Sequence, residues 1–406
     1  MLYQLAIYLT QGLGLEGAQI LTYYSARMLF AALTSLLVSI LCGPWFIRKL
    51  SRLNIGQTIR KKECPELGKL HAGKKDTPTM GGLLILFSML LSMFFWMDLT
   101  HIFTLILLAT TLFLGALGGV DDYLKIKHKN SKGLPGRVKL FCQIALGALL
   151  AAYLFIPGAA QKIAFGSWFA PPLVKEQILV PVADRLEPIQ IPITLQAYAS
   201  KLYIPFFKQP LAFGGAGIAL AALLVLLVVA GSSNAVNLTD GLDGLAAGCL
   251  LMVSIGLAII AFISNHIGLA GYLNLLYIEG SGEIAIYLSA FSGACLGFLW
   301  YNCHPAEMFM GDIGSLTLGG IIGVSAVLIK RELLLALIGG IFVLEALSVI
   351  LQVLSYRLRN KRRIFLIAPL HHHFEYKGWP ENKVVTRFWI GGLLLSMIGM
   401  ASLKFH

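Results

Sequence analysis

Charge is scarce in this sequence, and that scarcity excludes most soluble folds. Only 13% of residues are charged, whereas a soluble domain carries about a quarter. The first 20 residues hold no Lys or Arg, so the basic n-region of a cleaved signal peptide is missing. The six cysteines (Cys42, Cys64, Cys142, Cys249, Cys295, Cys303) form no C-x-x-C pair and mostly fall in apolar runs. Neither a zinc site nor a disulfide framework is suggested. The hydrophobic stretches are continuous rather than alternating, which argues against a transmembrane β-barrel.

Apolar residues are what the chain has in plenty, at 57% of 406. Ten apolar runs are centred near residues 37, 88, 110, 147, 221, 254, 292, 322, 344 and 397. About 20 residues at 1.5 Å rise cross the hydrocarbon core, so the expected class is an all-α polytopic membrane protein with about ten transmembrane helices. The run near 322 is short and Gly-rich, and the run near 344 carries Gly339, Gly340 and Glu345.

Basic residues set the expected orientation. Of 32 Lys and Arg, 23 fall within residues 48–75, 125–139 and 357–387. Basic loops stay cytoplasmic. With ten spans, both termini are then extracytoplasmic, and the connections at 232–244 and 302–315 also face the cytoplasm. The net charge of +12 is accounted for by this bias and by attraction to anionic membrane lipid, with no nucleic acid needed. Residues 157–212 form the longest outside segment, rich in Pro and β-branched residues, where a small hairpin or a membrane-hugging loop is expected. The chain thus reads as a single integral membrane domain over 1–406, with an extracytoplasmic insert at about 157–212.

The polar motifs gather on the cytoplasmic side. "GGVDDYLKIK" closes the third span with Asp121, Asp122 and Lys125, and Asp121 and Lys125 share a helix face if the helix continues. "NAVNLTDGLDG" supplies Asn237, Asp240 and Asp243, which lie on one face in helical spacing. "FMGDIGS" sets Asp312 between glycines, and "GKKDTPTMGG" brings Lys74, Lys75, Thr77 and Thr79 to the start of the second span. Carboxylates, lysines and amides on one rim suit a phosphate substrate held by Mg²⁺, a hard cation that takes oxygen ligands.

Each motif also has a plainer reading. An Asp at a span's end can be a helix cap or an interfacial residue. Gly-rich stretches in spans pack helices. Lys74 and Lys75 can be topology determinants, Thr79 a cap, and Phe309 and Trp379 interfacial aromatics. His371, His372 and His373 can belong to an ordinary polar loop. As a trio they are poor metal ligands, because adjacent residues point about 100° apart in a helix and the four-residue spacing of H-E-x-x-H is missing. We read them as substrate grips in a loop or short amphipathic helix.

The motifs "DTPTMGG", "GGVDDYLK", "NAVNLTDGLDGLAAG", "NCHPAEMFMGDIGSL" and "APLHHHFEYKGWPENKVVTRFW" closely resemble those of the bacterial phospho-N-acetylmuramoyl-pentapeptide transferases (translocase I, MraY). These belong to the polyprenyl-phosphate N-acetylhexosamine-1-phosphate transferase superfamily. The match runs from about residue 25 to the C-terminus, and the chain departs from the common pattern at 157–212. The resemblance implies a multi-pass protein of the bacterial inner membrane. It would transfer phospho-N-acetylmuramoyl-pentapeptide from UDP to undecaprenyl phosphate, giving lipid I and UMP, with Mg²⁺ as cofactor and a homodimer as the assembly. It makes Asp121, Asp122 and Asp312 catalytic, with Asp312 the metal ligand and Asp121 acting on the lipid phosphate. Asn237, Asp240 and Asp243 would line the nucleotide side, with Lys74 and Thr79 nearby and Phe309 stacking on uracil. Lys125 would screen pyrophosphate charge, His371 and His372 would hold the sugar-phosphate portion, and His373 would brace the loop. Direct attack and a covalent aspartyl-phosphate both fit these residues. Two rivals stand beside this reading. One is the sister N-acetylglucosamine-1-phosphate transferase, which the "HHHFE" block opposes. The other is an ion-coupled secondary transporter, suggested by Glu345 within an apolar run.

Overall fold

The computed structural model describes residues 1–52, 77–128, 133–182, 185–207 and 209–405. Lys74 and Lys75 lie outside the described residues. Ten long helices organise the described residues: α1 (Tyr24–Arg52), α2 (Gly82–Trp96), α3 (Ile102–Lys127), α4 (Gly136–Phe155), α5 (Gly217–Thr239), α6 (Leu245–Ser264), α7 (Ser281–Asn302), α8 (Gly311–Leu328), α9 (Gly340–Leu358) and α10 (Glu381–Ser402). Each of the ten apolar runs coincides with one of them. Among the described residues nine are long and apolar enough to cross a membrane. The 15 residues of α2 reach about 22 Å at 1.5 Å per residue, short of the ~30 Å hydrocarbon core. The chain is a multi-pass membrane protein.

Helices α7 and α8 form the centre and bury nearly every side chain, whereas α1, α9 and α10 expose apolar faces such as Leu37, Leu347 and Met397. In lipid such faces need no covering, and helices associate through close packing of small residues. One such contact places the site. A Cβ on Gly118 of α3 would lie 2.4 Å from the Asp312 carbonyl oxygen, so only glycine lets α3 and the start of α8 approach this closely.

The helix ends form two rims. One gathers the end of α3, the start of α8, the turn at 240–244, the loop at 303–310 and the segment at 359–380. The other carries an antiparallel hairpin, β1 (Val174–Val182) and β2 (Arg185–Ile193), paired from Val174↔Ile193 to Val182↔Arg185. Tyr277–Ile278, between α6 and α7, adds a third strand to β1. The hairpin expected within 157–212 is therefore present. Both termini belong to this second rim: the Met1 ammonium donates to the Phe94 carbonyl at 2.6 Å, and Lys404 Nζ stands 3.5 Å over the Tyr272 ring.

Two local expectations change. The run near 344 is split at Gly339 into a short helix, Glu332–Ile338, and α9. Helix α5 stops at Thr239, with Asp240 as its C-cap at φ −77° and ψ 56°. Asp243 therefore leaves the helix, and Asn237, Asp240 and Asp243 do not share one helical face. The D-G-L-D-G run favours a turn here, with Gly244 at φ +76° opening α6.

Candidate active site

Three carboxylates meet where α3 ends and α8 begins. Ligand oxygens of Asp121, Asp122 and Asp312 all lie within 4.8 Å of one another. Asp121 and Asp122 are buried, and Asp312 is partly so. Gly311, at φ +73°, makes the turn into α8, and a Cβ there would lie 2.6 Å from Asp122 Oδ2 and 3.1 Å from Thr79 Oγ1. Thr79 thus sits against the site, while the cap of α2 is Gly81.

One oxygen of each carboxylate is committed to a positioning bond. Asp121 Oδ1 accepts from the Leu134 backbone N–H at 2.6 Å. Asp122 Oδ2 accepts from the Ile313 N–H at 3.0 Å, satisfying an otherwise orphaned donor in the first turn of α8. Asp312 Oδ1 accepts from Asn237 Nδ2 at 3.0 Å, and the same amide donates to Ser315 Oγ at 2.8 Å. The second oxygens face cations. Lys125 Nζ lies 2.6 Å from Asp121 Oδ2, 2.9 Å from Asp312 Oδ2 and 3.5 Å from Asp122 Oδ1. Lys139 Nζ lies 3.0 Å from Asp312 Oδ2 and 3.4 Å from Asp121 Oδ2. Among the described residues, three carboxylates therefore face two ammonium groups. The excess negative charge and the all-oxygen donor set suit a hard divalent cation.

The turn at 240–244 forms the next part of the rim. Burial, and then the charges of Asp312, Asp122 and Asp243, push the Asp240 carboxyl up to about 8. Asp243 belongs to a second cluster: its Oδ2 lies 3.0 Å from His304 Nδ1 and accepts from the Ala306 N–H at 3.2 Å. The Asp243 N–H donates to Glu381 Oε1 at 2.8 Å. Phe309 is half-buried in a segment paired with residues 78–81, its N–H donating to Pro78 O and its carbonyl accepting from Gly81 N.

The three histidines occupy a short helix, Leu370–Tyr376, where the His371 and His372 rings pack edge to face at 4.2 Å and each histidine has a different polar neighbour. His371 is buried against Glu345 and reaches the 240–244 turn. His372 Nδ1 lies 2.7 Å from Glu375 Oε2. His373 Nδ1 accepts from the Leu366 N–H at 3.1 Å; burial and nearby Lys377 hold its imidazole below the usual range.

Known proteins resemble this chain over nearly its whole length. The family model described as glycosyl transferase family 4 matches residues 104–330. The phospho-N-acetylmuramoyl-pentapeptide-transferase signature 1 matches residues 74–86. A phospho-N-acetylmuramoyl-pentapeptide-transferase of Protochlamydia amoebophila is 62% identical over 403 residues, 98% of each chain. The chain belongs to the phospho-N-acetylmuramoyl-pentapeptide transferase family. Proteins of the same description from Thermodesulfovibrio yellowstonii (44% identical over 99% of this chain and 98% of that one) and Brachyspira hyodysenteriae (42% identical over 100% of both) span it as completely.

Within this transferase family member, the structure brings Asp121, Asp122, Asp312, Lys125, Asn237 and Thr79 together. It sets Asp243 apart with His304 and Glu381. Sequence reasoning missed Lys139, His304 and Glu381 as site residues. Lys139 had a signal, since it ends the basic run 125–139 at the start of an apolar span. His304 and Glu381 lie within the quoted motifs "NCHPAEMFMGDIGSL" and "APLHHHFEYKGWPENKVVTRFW", but nothing in the sequence tied them to Asp243, which they meet only through the fold. The carboxylates sit at a rim rather than on broken helices at a midplane, which disfavours the transporter alternative.

Proposed function

We propose that this protein transfers phospho-N-acetylmuramoyl-pentapeptide from its UDP-linked precursor to undecaprenyl phosphate, releasing UMP and forming lipid I for peptidoglycan synthesis. The rim of Asp121, Asp122 and Asp312 faces the cytoplasm of a bacterial plasma membrane, and the termini and the 157–212 insert face outward from a single transferase domain. The observation that carries the reading is the pattern of held and open carboxylate oxygens: one oxygen of each Asp is fixed by a hydrogen bond and the other faces Lys125 or Lys139.

Phosphoryl transfer depends mainly on positioning and on charge neutralisation. Here a phosphate oxygen of the lipid attacks the sugar-linked phosphorus, and the bond to UMP breaks. Asp121 orients the lipid phosphate, and Lys125 and Lys139 neutralise pyrophosphate oxygens once displaced from the carboxylates. Asp312, with Asp121 and Asp122, would hold Mg²⁺. When bound, the cation supplies charge neutralisation at the pyrophosphate. Asn237 keeps Asp312 turned toward the site. Asp240, Asp243, Lys74 and Thr79 line the nucleotide side with Phe309 as a stacking face, and His372 holds the sugar-phosphate portion, with buried His371 behind it under the 240–244 turn and His373 bracing the segment before it.

The test is formation of a lipid-linked product by purified protein in detergent, given undecaprenyl phosphate, UDP-N-acetylmuramoyl-pentapeptide and Mg²⁺. Organic-extractable N-acetylmuramoyl-pentapeptide is expected, and it should vanish when the lipid is omitted or EDTA is added. Its absence from a folded sample would contradict the proposal.

A further inference from the structure

Glu345 lies five residues into α9 and is fully buried, and its neighbour His371 is 1% exposed. A buried carboxylate is costly unless its oxygens are engaged. Here both approach His371. The Glu345 Oε1 atom accepts the His371 backbone N–H at 3.1 Å, and Oε2 packs against the ring 3.2 Å from Nδ1 without a hydrogen bond. On the other side of the ring, Nε2 lies 2.3 Å from the position a Cβ on Gly241 would take. The imidazole fits under this turn because Gly241 has no side chain. The turn it supports carries Asp240 and Asp243.

We propose that Glu345 is a positioning residue: it clamps His371 by backbone and ring, and His371 in turn supports the 240–244 turn in the shape that receives the UDP-linked substrate. The inference rests on the reading of His371 and this turn as part of the donor site. A ligand-orienting shell of this kind acts on binding geometry without touching substrate. Glu345 therefore influences the donor and leaves the lipid acceptor alone.

A double-mutant cycle on the full-length protein in detergent tests it. Glu345→Ala and His371→Ala should each raise KM for UDP-N-acetylmuramoyl-pentapeptide about tenfold, with KM for undecaprenyl phosphate unchanged. The double variant should be no worse than either single one. Glu345→Gln retains an acceptor for the His371 N–H and should recover most of the loss. Additive costs, or equal rises in both KM values, would overturn the positioning role while leaving His371 in the donor site. A wild-type KM in His371→Ala would remove the donor-site reading of His371, and the proposal with it. Should Glu345→Ala not fold, Glu345→Leu, which fills the buried space but offers no acceptor to the His371 N–H, takes its place in the cycle with His371→Ala; coupled costs support the clamp and additive costs overturn it.

Discussion

The two rims of the bundle both bury charge, and they arrange it in opposite ways. At the hairpin rim the charges close on one another: Arg27 and Glu283 pair at 2.8 Å, and Lys330 and Glu332 pair at 2.5 Å. Arg27 also donates to the Trp96 carbonyl, and Glu283 accepts from the Asp98 N–H. At the opposite rim three carboxylates crowd within 4.8 Å and share two lysines. A closed pair whose opposite charges cancel has no excess charge to offer a ligand. A crowded set with like charges in contact can exchange its internal lysine partners for a cation and a phosphate. The comparison separates charge that fixes the fold from charge that works.

The largest expected effect breaks the working rim. Asp312→Ala removes the carboxylate shared by Lys125, Lys139 and Asn237. UMP release should fall about 10³-fold or more, with the melting transition in detergent little changed. Activity near the wild-type rate would remove Asp312 from the metal and catalytic assignment. Next comes the closed rim. Arg27→Met leaves Glu283 buried without its charge partner, so unfolding should become easier by about 3–5 kcal/mol, while turnover per folded molecule stays at the wild-type level. Equal losses in turnover per folded molecule would blur the distinction between the rims.

A smaller effect belongs to the histidine segment. His371→Ala should weaken donor use about tenfold and leave bound metal unchanged, as read by metal content after dialysis. A metal loss matching the activity loss would make the histidines ligands after all. Smallest is Lys201→Ala, which removes a partly exposed partner of Glu176 on the hairpin rim. Stability should change by less than about 1 kcal/mol, and turnover should not change.

The ten helices were legible because a spanning helix writes its length directly into a continuous apolar run. Asp121, Asp122, Lys125 and Asp312 were legible because short motifs sit at the ends of those runs. The path of the chain at 240–244 was less so. Helical spacing put Asp243 on a face with Asn237, and the glycine-rich turn moved it across to His304 and Glu381. Lys139, His304 and Glu381 join the rim through contacts between residues 61 to 173 positions apart, a range over which periodicity carries no signal. Glu345 drew attention as a carboxylate in an apolar run, but its partner His371 came only from the fold.

The most direct measurement is UMP release by the purified protein with undecaprenyl phosphate and Mg²⁺, run separately with UDP-N-acetylmuramoyl-pentapeptide and with UDP-N-acetylglucosamine. The account predicts release with the first donor alone, abolished by EDTA and by Asp312→Ala. Release with the second donor alone would keep the carboxylate rim but contradict the donor assignment. No release with either donor from a folded sample would contradict the claim that this rim performs phosphoryl transfer.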